Sequence, residues 1–171
     1  YLLPDKWVNQ PFGDTYTNLM QPWLSLKINA EKAETPSVTA LANVVKVLGM
    51  SRLTDMYGPI PYTRFGAGIN IAYDAQEEVY KAFFTELDDA ISVLTEYYTA
   101  SPSSKLLANF DYVFGGDVES WIRFANTLRL RLALRVVYAD AALARTEAQK
   151  SFDSTIGFLE KAAIHSNGSK Y

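Results

Sequence analysis

At 171 residues the chain is long enough for one domain with a buried core, and its 49% hydrophobic and 20% charged residues are those of an ordinary globular domain. A net charge of -3 offers no basic face, so nucleic acid is not an expected partner. With no cysteine and one histidine, His165, disulfides, thiolate chemistry and His/Cys metal sites are excluded by count.

The chain begins at Tyr1 with neither an initiator methionine nor an apolar leader, so either a targeting segment lies upstream or the chain is a piece of a longer one. Residues 1–14, with Pro4, Pro11 and Gly13 and no clear period, read as loop. Residues 15–34 read as a helix that starts or kinks at Pro22. A second helix is expected over 37–56, where Val38, Leu41, Val45, Leu48, Leu53 and Met56 recur at three and four residues. Pro59, Pro61 and Gly58 then force a loop over 57–74.

Asp74 or a neighbour is placed to cap a helix over 75–98, buried through Val79, Phe83, Leu87, Ala90 and Leu94. Residues 99–116 read as a second long loop, and Asp117 as the N-cap of a helix over 117–138. Leu128 to Arg135 alternates as a strand does, but Trp121, Phe124, Ala125, Leu128, Leu132 and Val136 fall on one helical stripe, so helix is expected. One or two further helices are expected over 140–164, and polar loop at the end. No uncharged apolar run approaches the ~20 residues of a membrane-spanning helix.

These elements offer little to a catalyst. His165 has no nucleophile pattern around it, Gly66-Ala67-Gly68 lacks the lysine of a phosphate loop, and no calcium-loop spacing occurs. Asp88-Asp89 and Glu77-Glu78 splay onto different helix faces. Asp111 and Asp117 flank a loop and could meet Asp55 or Asp74, as the carboxylate pair of a glycosidase must. The alternative is that these acids are caps and partners for Arg129, Arg131 and Arg135 on the packed helix. No metal and no cofactor is implied.

Aromatics are the surplus: 11 Tyr, 9 Phe and 3 Trp. Rings that stack on the C–H faces of sugars, beside amides and charges that take the hydroxyls, form a recognisable binding pattern. Trp7 with Asn9 and Gln10, and Tyr62 and Tyr73 beside Arg64, are the candidate ligand-contacting residues. The competing reading is that these rings anchor loops to helices.

The blocks Leu53–Tyr62, Tyr73–Tyr80, Leu87–Ala90 and Tyr112–Arg135 stand in an order and spacing that resembles the SusD/RagB family of outer-membrane lipoproteins, over roughly Val38 to Ala142. The resemblance implies an all-α fold of tetratricopeptide-like antiparallel helix pairs with long aromatic-rich loops. It also implies that the chain is the N-terminal to middle part of a longer protein, anchored to the outer membrane at the cell surface by an upstream lipid. Such a protein is non-catalytic and captures an oligosaccharide (or a peptide) beside a SusC-like TonB-dependent transporter.

The residues that carry the resemblance are Asp55, Tyr57, Gly58, Pro61, Tyr62, Asp74, Gln76, Asp117, Trp121, Asn126, Arg129, Arg131 and Arg135, and they read as scaffold. Two other classes stay open: a helical-repeat protein-interaction scaffold, marked by a bare apolar helix face, and a glycoside-acting enzyme, marked by two carboxylates converging in a cleft.

Overall fold

A computed structural model of the protein describes residues 4–160, with the side chains of residues 5–7 left aside. The described residues form α1 (Asp5–Thr15), a π-helical turn (Tyr16–Met20), α2 (Gln21–Lys32), α3 (Pro36–Tyr57), α4 (Gln76–Ala100), α5 (Val118–Val136) and α6 (Ala141–Phe152). No named strand occurs among them; two isolated antiparallel bridges, Ile60 with Asp74 and Lys105 with Asp117, pinch the long loops at their ends. Sequential helices pack on one another, α2 on α3, α3 on α4, α4 on α5 and α5 on α6, as stacked helix pairs do.

The core follows the expected stripes in α4 and α5 but not in α3, where Val45 and Met56 are exposed and a neighbouring face of the helix is buried instead. Val44, Val47 and Met50 of α3, Val79, Phe83, Leu87 and Leu94 of α4, and Ile122, Ala125 and Leu132 of α5 are fully buried or nearly so. The alternating leucines of α5 lie on a helix, as the longer window requires. Asp117 accepts from the Ser120 backbone N–H at 3.1 Å and from its hydroxyl at 2.6 Å, making it the N-cap of α5.

Two further expectations are corrected. The opening stretch is helix from Asp5, not loop, and it runs through the π-turn into α2 without a break. Contacts distant in sequence hold it: the ring of Phe12 lies 5.3 Å from that of Tyr57 and 6.4 Å from that of Tyr73, and the Tyr16 hydroxyl donates to the Pro61 carbonyl at 2.8 Å. Pro22 stands in the first turn of α2, just after the π-turn, where the hydrogen-bond ladder is already shifted and its missing N–H is tolerated.

The helix expected over 140–164 ends at Phe152. Residues 154–160 are non-helical because α5 captures them: Asn126 Nδ2 donates to the carbonyls of Ser151 and Gly157, and Thr127 Oγ1 accepts the Leu159 N–H. The remainder of that expected helix, and His165, lie outside the described residues. Of Asp74 and its neighbours, it is Ala75 that holds the N-cap position of α4, while Asp74 is buried in the preceding loop.

Candidate functional site

The first long loop, residues 58–75, is built around Asp74. Its carboxylate accepts from the backbone N–H groups of Tyr62 at 2.9 Å and Thr63 at 2.7 Å, and from the Thr63 hydroxyl at 2.9 Å. Burial alone would raise this carboxyl, but those hydrogen bonds outweigh it and hold the group below the usual carboxylate range. Gly58, at φ +73°, ends α3 in a conformation that L side chains rarely adopt. Gln76 ties the loop's far end to α3 through the Thr54 carbonyl at 2.8 Å.

On this rigid base Tyr73 is 62% exposed, with its ring nearly parallel to Phe12 of α1, at 15°. Arg64 of the same loop is exposed, as are Asn9 and Gln10 on α1, one turn before Phe12. The packing of α1 against the loop therefore brings the two groups of candidate residues, far apart in sequence, onto adjoining elements. Trp7 falls on α1, with its side chain outside the description.

Tyr62 is a correction. It is only 4% exposed; its hydroxyl donates to Glu86, its ring sits 4.8 Å from the Lys46 ammonium, and it packs edge-on against Phe83. A ring enclosed in this way presents no face to a ligand. Its pattern in the sequence, an aromatic beside a proline in a loop, is the same as that of an exposed stacking residue, and only the fold separates the two.

The other motif residues hold the helices together. Asp55 accepts from the Tyr80 hydroxyl at 2.7 Å and pairs with Arg135 Nε at 2.8 Å, so that burial and the adjoining Asp55 push the Tyr80 phenol up to about 12. Tyr57 donates to the Val8 carbonyl and fixes α1. Arg129, 4% exposed, pairs with Asp88 and lies 3.6 Å from Glu147, while Lys150 bridges the same two acids. Arg131 is exposed and has no ion pair among the described residues.

In the second loop Asp111 accepts four hydrogen bonds, from the N–H groups of Val113, Phe114 and Gly116 and from Trp121 Nε1, at 2.7 to 3.1 Å. Asp111 and Asp117 thus serve their own loop and helix and do not share a partner with Asp55 or Asp74. Asp111 too is held below its ordinary value, since hydrogen bonding from Trp121 and the backbone outweighs its burial.

Sequence reasoning passed over the cluster of Lys46, Trp23, Tyr62 and Glu86. Lys46, 3% exposed, pairs with Glu86 at 2.7 Å and lies 3.8 Å from the centre of the Trp23 ring. A lysine on an otherwise apolar stripe was the available signal.

A family model described as "SusD-like: Susd and RagB outer membrane lipoprotein" matches residues 1–169. The chain belongs to the SusD-like family. Solved SusD homologues share its fold. One from Bacteroides vulgatus superposes with a TM-score of 0.87 at 34% identity, covering 98% of this chain and 35% of that one. A chitin-binding SusD homologue from Flavobacterium johnsoniae gives 0.85 at 41% identity, covering 92% and 33%. A third, from Bacteroides uniformis, gives 0.73 at 43% identity, covering 80% and 28%. This SusD-like chain thus spans about a third of the length of the solved relatives it matches. No relative is found among curated proteins. No described helix is long and apolar enough to cross a membrane.

Proposed function

We propose that the protein captures oligosaccharide at the cell surface as the non-catalytic, lipid-anchored component of a SusC/SusD-type uptake system, handing its ligand to a TonB-dependent transporter. The observation that carries this reading is the 41%-identical match, over 92% of the chain, to a homologue described as chitin-binding. The Tyr73 surface supplies the matching chemistry: an aromatic face braced from behind by Phe12, with Arg64, Asn9 and Gln10 on the adjoining elements to take hydroxyls.

The acids support binding over hydrolysis. A glycosidase needs one carboxyl with a raised pKa facing a second across the bond to be cut. Asp74, Asp111 and Asp117 are each shifted the other way by hydrogen bonds to their own surroundings.

Calorimetric titration of the full-length protein with a panel of neutral and acidic oligosaccharides tests the proposal. Saturable binding without release of reducing ends is expected; binding of peptides and of no saccharide would overturn the glycan assignment.

A further inference from the structure

The two helix pairs leave a cleft of about 540 Å³ between the end of α3, the start of α4, and the turn that joins α5 to α6. That lies within the ~300–1,000 Å³ range of sites that take small ligands. Its apolar wall is Val136, Ala139 and Leu143; its polar wall is Gln76, Glu77, Asp140 and the linked group of Tyr80, Asp55 and Arg135.

That linked group is pre-set. Asp55 spends one oxygen on the Tyr80 hydroxyl and the other on Arg135 Nε, which fixes the guanidinium while the arginine side chain stays 47% exposed. The turn itself carries Tyr138, fully exposed, one residue before Ala139 of the cleft wall. Donors and acceptors of both kinds, an apolar wall and an exposed ring on the adjoining turn are what a sugar needs, since each sugar ring presents hydroxyls around its rim and C–H groups on its faces.

We propose that this cleft is a second saccharide-contacting site, separate from the Tyr73 surface, and that it takes neutral oligosaccharides in preference to uronic or sialylated ones. The charge of the lining sets that preference. Asp55, Glu77 and Asp140 line the cleft with Arg135, and Asp55 already compensates the arginine, so an incoming carboxylate meets two further acids, of which Glu77 alone has an ion-pair partner among the described residues, Lys81. The inference rests on the glycan-binding function proposed above.

The test uses the full-length protein, with chitohexaose as the neutral probe and hexagalacturonate as the acidic one, in the wild type and in Tyr138→Ala, Glu77→Gln and Tyr73→Ala. Glu77 of the cleft and Tyr138 of the adjoining turn are both exposed, so neither substitution removes a buried contact. Expected are about tenfold weaker chitohexaose binding in Tyr138→Ala and about threefold in Glu77→Gln, with hexagalacturonate at least tenfold weaker than chitohexaose in the wild type. Wild-type binding that is unchanged in both cleft variants, while Tyr73→Ala loses it, overturns the cleft and leaves the functional reading standing. Failure of every neutral saccharide to bind the wild type overturns the functional reading itself.

Discussion

Replacing Asp111 by Asn is the sharpest test of how the second loop is held. Each carboxylate oxygen takes two donors: Oδ1 the N–H groups of Val113 and Phe114, Oδ2 those of Gly116 and Trp121 Nε1. An asparagine keeps the shape but offers one oxygen and one NH2 group. Whichever way the amide is turned, two donors face another donor. Hydrogen bonds to a charged acceptor contribute about 1.5–3 kcal/mol each, and an unsatisfied buried donor costs about 1–3 kcal/mol.

Two are lost and two weakened, so with partial rescue by water the cost should be roughly 3–5 kcal/mol. Denaturant unfolding of the full-length protein measures it, read on the transition that reports Trp121. The pH dependence gives an independent check. The folded carboxyl titrates below its unfolded value, so its contribution is complete above about pH 4 and is lost as pH falls through the folded pKa. Asp111→Asn should remove that part of the acid sensitivity. A loss below 1 kcal/mol with an unchanged acid profile would refute the four-bond account.

Three further outcomes follow from the packing. Gly116→Ala should destabilise by about 1–3 kcal/mol, because Gly116 sits at φ +79° and an added Cβ would meet the Leu106 carbonyl oxygen at 2.9 Å; thermal unfolding at wild-type stability would contradict this. Arg129→Ala should cost about 3 kcal/mol, since it leaves the buried Glu147 and the part-exposed Asp88 with Lys150 alone, and Arg129→Lys should recover only part of it in the same assay. Tyr62→Phe should lower stability by about 1–2 kcal/mol and leave saccharide affinity unchanged, whereas Tyr73→Ala should do the reverse; calorimetry beside unfolding separates the two roles.

The helices that an apolar stripe defines were legible in the sequence, and those that distant contacts define were not. Phe83 and Leu132 lie on stripes read from spacing alone, so α4 and α5 were legible with their buried faces; α3 was legible as a helix, but apolar residues surround it and the face it buries is that of Val44, Val47 and Met50, not that of Val45 and Met56. The first helix has no such stripe and carries Pro11 and Gly13; its support comes from Tyr57, Pro61 and Tyr73, some forty-five to sixty residues away. Local propensity argues loop there, and tertiary packing overrides it.

The same limit applies to the candidate site. Tyr62 and Tyr73 are both tyrosines of one loop, yet the first is enclosed by Lys46, Phe83 and Glu86 while the second keeps a free face. The acids show it again. Asp117 announced its capping role by its position before a helix, but Asp74, equally well placed, turns inward to gather the N–H groups of its own loop.

Whether the protein holds glycan without cutting it is decided by titrating the full-length protein with chito-oligosaccharides of increasing length and recovering the ligand afterwards. Saturable binding is expected that strengthens with length, weakens in Tyr73→Ala and returns the oligosaccharide uncut. Heats no greater than buffer dilution across neutral saccharides, or ligand returned in shortened pieces, would contradict it.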